Sequence, residues 1–203
     1  MRDSAIKRAI DLLENDYKID LSEFVALDMF ARDATWQTKH YASKVKKIHA
    51  WEVDRSFQND LVANLPNNAE VCIGDSHELI RQESEIFDLA VLDNPQGCYG
   101  ANNEYSEHFD SLPLVTEKLA DESIVIFNVK SKPFNYEDKK EWQNRRNQFY
   151  QLEDSSDLSL DFVHRFYRNY FDRKGFDTGF CFSLIRPQES GLYMFVYQLK
   201  KRK

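Results

Sequence analysis

The sequence contains few cysteines, and they lie far apart. Its 203 residues include three of them, Cys72, Cys98 and Cys181, and no C-x-x-C pair. This spacing is typical of a reducing compartment and predicts neither a disulfide framework nor a zinc site. No apolar run approaches the roughly 18 residues that a membrane-spanning helix needs, and the first residues lack the apolar core of a secretory signal. We therefore expect a soluble cytoplasmic protein that binds no metal and no membrane.

The chain also lacks an excess of basic residues, internal repeats and low-complexity tracts. Its net charge is −7. This charge argues against a protein that binds nucleic acid through its overall electrostatics, but it leaves room for a local basic cleft. A chain of 203 residues is suited to one domain with a sizeable core. We expect a single domain over residues 1–203.

Acidic residues follow four apolar segments at the points where predicted strands end. The segment that begins at Phe24 leads to Asp28, and later segments lead to Glu52, Asp75 and Asp93. A carboxylate at the C-terminal edge of a strand lies where open α/β sheets bind ligands. Asp28 and Glu52 are about two dozen residues apart, a spacing that fits a βαβ unit with a ribose-binding acid at its second strand end. A solvated strand end is the alternative.

The motif L-D-M-F-A-x-x-A, which begins at Leu27, resembles the first motif of class I S-adenosylmethionine (SAM) methyltransferases. The nearest form is the L-D-L-F-A-G-S-G motif of DNA and RNA amino-methyltransferases. The resemblance implies that Asp28 holds the methionine amino group of SAM, directly or through water. It also implies that the loop containing Phe30 and Ala31 passes under the cofactor.

Two residues of this loop depart from the family pattern. Arg32 and Ala34 stand where the family has glycines. Glycine serves there because the backbone approaches the ligand closely, often with positive φ, and a Cβ atom resists both. The Arg32 guanidinium also has the length to enter the space of the methionine tail. A strand that ends in an ordinary polar loop is the alternative interpretation.

The resemblance assigns the next two strand ends to the rest of the cofactor. The family's V-E-x-D form places the ribose-binding acid at Glu52, with Asp54 as the second candidate. Asp75 is implied to accept a hydrogen bond from the adenine amino group, and Ser76 to supply a backbone N–H to the ring. Gly-Asp after a strand is also ordinary turn chemistry. Ser76 is a candidate N-cap of the next helix, so we interpret His77 as a solvated or capping residue.

The fourth acid opens the tetrapeptide Asp93-Asn94-Pro95-Gln96, which resembles the D-P-P-Y or N-P-P-Y motif of enzymes that methylate exocyclic amino groups of bases. The resemblance implies that the acid or amide, and a backbone carbonyl fixed by proline, accept hydrogen bonds from the target NH₂. Asp93, Asn94 and Pro95 are therefore candidate catalytic residues. The aromatic residue that stacks on the base is missing, and Tyr99 is the candidate replacement. A strand followed by a structural Asx turn is the alternative.

The remaining periodicities predict an α/β chain. Apolar residues at helical spacing predict helices over 4–17, 35–46, 56–65, 76–82 and 157–171, with a further helix within 102–119. β-branched runs and alternating patterns predict strands over 122–130, 176–185 and 192–199. The order of these elements and of the four acid-terminated strands resembles that of class I methyltransferases, and the resemblance implies a Rossmann-like class I methyltransferase fold. This fold has a seven-stranded, mostly parallel sheet with a C-terminal antiparallel hairpin.

Residues 131–157 are highly charged and contain scattered aromatic residues. Lys139, Lys140 and Trp142 are examples. We interpret the segment either as a helical insertion over the cleft, which presents basic and aromatic groups to a nucleic acid, or as a solvated amphipathic helix.

These assignments predict a SAM-dependent methyltransferase that acts on an exocyclic amino group of a nucleic-acid base. SAM is the expected cofactor and DNA or RNA the expected partner. The alternative, which Arg32, Ala34 and Gln96 suggest, is a methyltransferase-like protein that no longer catalyses and serves as a binding or assembly subunit. The absence of a G-x-G-x-x-G motif disfavours a dinucleotide-binding Rossmann protein. The sequence carries no signal for an oligomeric state.

Overall fold

The computed structural model describes residues 4–133, 138–186 and 190–203. Its strands are β1 (Val25–Asp28), β2 (Lys47–Glu52), β3 (Ala69–Ile73), β4 (Phe87–Leu92), β5 (Cys98–Tyr99), β6 (Tyr105–Ser106), β7 (Leu119–Lys130), β8 (Phe176–Ile185) and β9 (Leu192–Lys201). Its α-helices are α1 (Ala5–Asn15), α2 (Gln58–Asn64), α3 (Ser76–Gln82), α4 (Ser111–Thr116), α5 (Lys140–Tyr150) and α6 (Leu160–Arg173). Short 3-10 helices cover Thr38–His40, Ala42–Lys44 and Arg55–Phe57.

The longer strands form one seven-stranded sheet in the order β3-β2-β1-β4-β7-β9-β8. The first five strands of this order are parallel, and β9 is antiparallel to both β7 and β8. The predicted sheet is therefore confirmed, including its C-terminal antiparallel hairpin. The two remaining strands, β5 and β6, form a separate small hairpin. Because parallel strands end at one edge, the acids that follow β1 to β4 are brought to the same side of the molecule.

The strand β1 separates two hydrophobic cores. Ala26 and Leu27 are adjacent and fully buried, and adjacent residues of a strand point to opposite faces. Ala26 packs in the cluster that contains Ile6 and Ile10 of α1, whereas Leu27 packs in the aromatic-rich cluster that contains Tyr167 of α6. With both faces of the sheet covered, a ligand approaches at the carboxyl edge of the strands.

Helix α6 (Leu160–Arg173) confirms the helix predicted over 157–171, but it begins three residues later and ends two residues later. The Ser159 hydroxyl accepts a hydrogen bond from the Phe162 N–H at 3.2 Å and caps the first turn. Tyr167 and Phe171 are buried against the sheet. The helix stops before Gly175, whose φ of 87° is a conformation that glycine adopts without steric cost.

The predicted helix over 35–46 is wrong, because two 3-10 helices occupy this segment. The Asn68 side chain donates hydrogen bonds to the carbonyl oxygens of Ala42, at 2.9 Å, and Val45, at 2.7 Å. A side chain from a distant loop thus binds carbonyl groups of this segment. Tertiary contacts of this kind override the local helical periodicity.

Helix α5 lies within the charged segment, but its aromatic residues do not face solvent. Trp142, Arg146 and Tyr150 are buried. The Trp142 indole N–H donates to Glu107 Oε1 at 2.7 Å, and Arg146 Nη1 donates to the same oxygen at 2.6 Å. The interpretation that Trp142 presents its ring to a nucleic acid is therefore wrong. These bonds fix the segment that follows the β5–β6 hairpin, and Tyr99 of that hairpin donates to the Glu107 carbonyl at 2.9 Å.

Candidate functional site

Two pockets open at the carboxyl edge of the sheet, each of about 330 Å³. We call the first the acid pocket, because Glu52, Asp75 and Asp93 line it together with Met29, Phe30, Arg32, Val53, Phe57, Ser76, His77, Pro95, Tyr99, Gly100 and Tyr105. We call the second the tryptophan pocket; it is lined by Phe30, Ala31, Arg32, Trp36, Gln37, Thr38, Asp93, Asn94, Gln96, Arg186 and Leu192. Phe30, Arg32 and Asp93 line both and form the wall between them.

Glu52 is held in place by the backbone around the acid pocket. Its Oε2 accepts the Arg32 N–H at 2.9 Å, and its Oε1 accepts the Asp54 N–H at 2.8 Å. An ionised carboxylate has about four acceptor positions, so both oxygens retain capacity for further donors. The second candidate, Asp54, instead accepts the Ser56 N–H at 2.8 Å as a local cap and does not line the pocket.

Asp75 is the N-cap of helix α3. It accepts the His77 N–H at 2.8 Å and the Tyr105 hydroxyl at 3.0 Å. Burial raises the pKa of Asp75, but the hydrogen bonds outweigh it, so the pKa lies below its ordinary value. The predicted cap is therefore wrong by one residue, and the Ser76 hydroxyl donates to the Met29 carbonyl at 2.6 Å.

His77 is buried, which contradicts its interpretation as a solvated residue. Its ring stacks on Tyr105 with centroids 3.6 Å apart and an interplanar angle of 7°. Burial lowers the pKa of His77. The stacked pair supports one side of the acid pocket with flat apolar surface, next to the carboxylate of Asp75.

Asp28 lies behind the pockets and lines neither. Its Oδ2 accepts the hydroxyls of Tyr41, at 2.6 Å, and Thr38, at 2.8 Å, and its Oδ1 accepts the Phe30 N–H at 3.1 Å. Burial raises the pKa of Asp28 to about 6, although these hydrogen bonds oppose the rise. The carboxylate therefore holds the loop after β1 in place through three internal donors.

The loop after β1 has the backbone of a glycine loop without its glycines. Arg32 and Ala34 have φ angles of 52° and 60°. This left-handed region costs a non-glycine residue about 1–2 kcal/mol. Arg32 and Phe57 both line the acid pocket. The Arg32 guanidinium carbon lies 5.3 Å from the centroid of the Phe57 ring.

Asp93 is oriented through one of its two oxygens. Arg186 Nη1 donates to Oδ1 at 2.5 Å, and Asn128 Nδ2 donates to the same atom. Within residues 4–133, 138–186 and 190–203, no group donates a hydrogen bond to Oδ2. A carboxylate with one anchored oxygen and one open oxygen thus stands at the junction of the two pockets.

The other candidate acceptor-binding residues are divided between the pockets. Asn94 is buried, and its Oδ1 accepts the Asn128 backbone N–H at 3.2 Å, so its amide faces β7. Pro95 and Tyr99 line the acid pocket, where the Tyr99 ring meets Phe30 edge-on with centroids 6.0 Å apart. Tyr99 therefore stands on the side of Glu52 and Asp75, away from Asn94.

Several residues of the site were not predicted from the sequence, among them Arg186, Trp36 and Asn128. Arg186 is 93 positions away from its partner Asp93, and the C-terminal hairpin brings it there. Trp36 belongs to the apolar spacing that predicted a helix over 35–46, and that spacing gave no sign of a role in the site. Asn128 could have been found from the sequence, because a polar residue inside a run of buried β-branched and aromatic residues needs a hydrogen-bond partner and so indicates a site.

Comparisons with known proteins identify the architecture. No family model and no curated protein matches the sequence. The structure is similar to that of an rRNA methylase from Streptococcus thermophilus, with a TM-score of 0.59 and 14% identity over 100% of this chain and 99% of the other. The chain has the class I methyltransferase fold.

Two further structures show how widely this fold is used. M. jannaschii TYW2, solved in complex with AdoMet, has a TM-score of 0.56 and 15% identity, covering 100% of this chain and 79% of the other. A precorrin 8W decarboxylase from Methanobacterium thermoautotrophicum has a TM-score of 0.53 and 14% identity, covering 94% and 88%. Because one fold hosts such different substrates, the function has to be argued from the site.

Searches of the described residues for other site types add two findings. Residues 4–133, 138–186 and 190–203 contain no group of three or more His, Cys, Asp or Glu side chains arranged to hold a metal ion. Over the same ranges, no helix combines the length and apolar character of a membrane span.

Proposed function

We propose that this chain, acting as one domain, binds SAM in the acid pocket and transfers its methyl group to an exocyclic amino nitrogen of a nucleic-acid base. The observation that carries the proposal is Asp93. Its Oδ1 is anchored by Arg186 and Asn128, its Oδ2 receives no hydrogen bond from the described residues, and the residue lines both pockets.

The acid pocket has the donor and acceptor set that adenosine requires. Glu52 has acceptor capacity for two ribose hydroxyls, and Asp75 is an ionised acceptor for the adenine amino group. Phe57 and Tyr105 supply apolar surface for the ring. Asp28, whose oxygens already bind three internal donors, acts by holding the loop of Phe30 and Ala31 rather than by direct contact.

The acceptor step depends on positioning, because SAM when bound supplies a methyl group that is already activated. Asp93 Oδ2 accepts one N–H of the target amino group and thereby turns the nitrogen lone pair toward the acid pocket. The Pro95 carbonyl is the second candidate acceptor. After transfer the nitrogen carries one proton too many, and Asp93 is the adjacent carboxylate that takes it.

A second candidate function is a SAM-binding or assembly subunit without catalysis. The observation that favours it is the state of the motif at 93–96. The Asn94 amide is bound to the backbone of β7, and Gln96 stands where an aromatic residue would stack on the base.

Calorimetric titration with SAM and with S-adenosylhomocysteine tests the cofactor step. The wild-type chain is expected to bind both ligands. Glu52→Gln should weaken binding at least about tenfold, which corresponds to about 1.4 kcal/mol, because the amide nitrogen cannot accept a hydrogen bond. Glu70→Gln is the matched control, since Glu70 lies on β3 but pairs with Lys47 at 3.0 Å and lines neither pocket.

The outcome separates the two candidates. Absence of SAM binding by the wild-type chain contradicts the enzyme and the SAM-binding subunit, and leaves a subunit that acts in assembly alone. Binding accompanied by transfer of a labelled methyl group to DNA or RNA supports the enzyme. Binding without transfer to any nucleic acid supports the non-catalytic subunit.

A further inference from the structure

Trp36 differs from the other tryptophans of the chain in its exposure. Trp51 and Trp142 are 1% and 4% exposed, whereas half of the Trp36 surface is accessible. A large aromatic side chain at the rim of a pocket offers flat apolar surface to a ligand that enters the pocket. Trp36 stands in the tryptophan pocket together with Gln37, Asp93 and Gln96.

The Trp36 ring is linked to the open carboxylate through one guanidinium. The Arg186 guanidinium carbon lies 5.7 Å from the centroid of the Trp36 ring, and the same group donates to Asp93 Oδ1 at 2.5 Å. A cation over an indole face is favourable and restrains the ring. Trp36 and Asp93 are therefore held by a common neighbour.

The pocket supplies what the sequence motif at 93–96 lacks. Gln96 has no ring, and Tyr99 is committed to the acid pocket by its contact with Phe30 and its bond to the Glu107 carbonyl. Among the described residues that line the tryptophan pocket, the aromatic ones are Trp36 and Phe30. Phe30 is half-buried against Tyr99, so Trp36 offers the larger open face.

We propose that the tryptophan pocket receives the acceptor base of a single nucleic-acid strand and that the base stacks on Trp36. The inference rests on the proposed function, because it makes Asp93 the residue that receives the target amino group. Gln37 and Gln96 line the same pocket. The Gln37 Oε1 accepts the Ser4 hydroxyl at 3.1 Å and the Gln96 Nε2 donates to the Asn94 carbonyl at 3.2 Å, so the other end of each amide is the part suited to the polar edge of a base. Stacking on an aromatic ring is the usual way in which proteins hold unpaired bases.

Tryptophan fluorescence measures this binding without any methyl transfer. Trp51 and Trp142 are buried, so quenching by a short single-stranded RNA or DNA of mixed sequence reports on Trp36. In the presence of S-adenosylhomocysteine, the wild-type emission should fall as the oligonucleotide is added. Trp36→Ala and Trp36→Phe lack this reporter, so their affinity is measured, beside the wild type, by the fluorescence anisotropy of an end-labelled oligonucleotide. Trp36→Ala should weaken oligonucleotide binding about 5- to 150-fold, the range of one base–aromatic stack, and Trp36→Phe should retain most of it. Both variants should bind S-adenosylhomocysteine as the wild type does.

Tyr17→Ala is the matched control, because Tyr17 is also an exposed aromatic residue but stacks on Phe180 and lines neither pocket. It should bind the oligonucleotide like the wild type. The proposal is overturned if no oligonucleotide binds, or if Trp36→Ala binds it unchanged. It is also overturned if Trp36→Ala weakens S-adenosylhomocysteine as strongly as the oligonucleotide, since the pocket then holds the cofactor's amino-acid tail. Quenching by the oligonucleotide in a chain that binds no SAM would contradict the proposed function while supporting the base pocket.

Discussion

Asp28 and Asp93 follow neighbouring parallel strands and differ in what surrounds them. Both oxygens of Asp28 are occupied, by the Tyr41 and Thr38 hydroxyls and by the Phe30 N–H. Asp93 has one oxygen bound to Arg186 and Asn128 and one that accepts nothing from the described residues. An acid at the end of a strand is therefore a structural support in one case and an open acceptor in the other.

The difference follows from where the partners come from. The donors to Asp28 lie 2, 10 and 13 residues away, within the loop that follows the same strand. The donors to Asp93 lie 35 and 93 residues away, on β7 and at the end of β8. The nearby donors bind both oxygens of Asp28. The distant donors bind only Oδ1 of Asp93, and Oδ2 receives no hydrogen bond from the described residues.

The largest expected effect is on catalysis, from Asp93→Ala. Removing the open oxygen should lower kcat/KM for methyl transfer by at least about 10²-fold, the size of a lost acid–base group. S-adenosylhomocysteine affinity should stay within about threefold, because ribose and adenine are assigned to Glu52 and Asp75. Transfer of a labelled methyl group to nucleic acid, together with calorimetry, measures both quantities.

The matched control for this variant is Asp172→Ala, which removes an aspartate paired with Arg202 at 2.8 Å on the surface. It should leave the transfer rate unchanged. Full activity of Asp93→Ala would contradict the role of Asp93 as the acceptor of the target amino group. A loss of S-adenosylhomocysteine binding equal to the loss of rate would make Asp93 a cofactor ligand.

The next largest effect is the pH dependence of the free energy of unfolding that Asp28 causes. Burial raises its pKa from 3.8 to about 6 in the folded chain, so the folded state binds this proton more tightly than the unfolded state. The resulting stabilisation is fully present below the unfolded pKa and is lost as the pH rises through the folded value. Two pKa units correspond to about 3 kcal/mol.

Urea unfolding of the wild type and of Asp28→Asn, measured between about pH 4 and pH 7, tests this expectation. As the pH rises, the unfolding free energy of the wild type should fall relative to that of Asp28→Asn by up to about 3 kcal/mol. Taking the difference cancels the titration of groups that the two chains share. A difference independent of pH would show that Asp28 is not a buried carboxylate of raised pKa.

The sheet could be predicted because its signals are local. Each of the strands β1 to β4 is an apolar run with an acid at or just after its end, and Ser159 and Gly175 bracket helix α6 as their chemistry requires. The segment over 35–46 has an equally local signal, yet Asn68 from another loop binds two of its carbonyl groups and a pair of 3-10 helices results. Periodicity does not report such a partner.

The site was predictable in part, for the same reason. The strand-end acids Glu52, Asp75 and Asp93 do converge on one pocket. Which acid remains open depends on side chains such as Arg186, which reaches Asp93 only after the hairpin has paired. A contact across 93 residues leaves no trace in the spacing of either motif.

The smallest expected effect is on the free energy of unfolding, and it concerns Arg32 in the loop after β1. Arg32 has a φ of 52°, which costs a non-glycine residue about 1–2 kcal/mol. Arg32→Gly relieves this cost but adds about 0.4–1 kcal/mol of unfolded-state entropy and removes an exposed contact with Phe57 worth about 0.5–1 kcal/mol. The unfolding free energy should therefore change by less than about 1 kcal/mol.

Lys18→Gly is the matched control for this variant, because Lys18 is exposed, has a φ of 58° and lies outside both pockets. Its change in stability measures the backbone relief together with the added unfolded-state entropy, without a contact to Phe57. Calorimetry of Arg32→Gly should give a SAM affinity within about threefold of the wild type, since the loop already follows the glycine-type path and the guanidinium lies along Phe57. A gain of tenfold or more would mean that Arg32 blocks the cofactor. The acid pocket would then be closed in the wild type, and Asp93 would be an open carboxylate that no methyl group reaches.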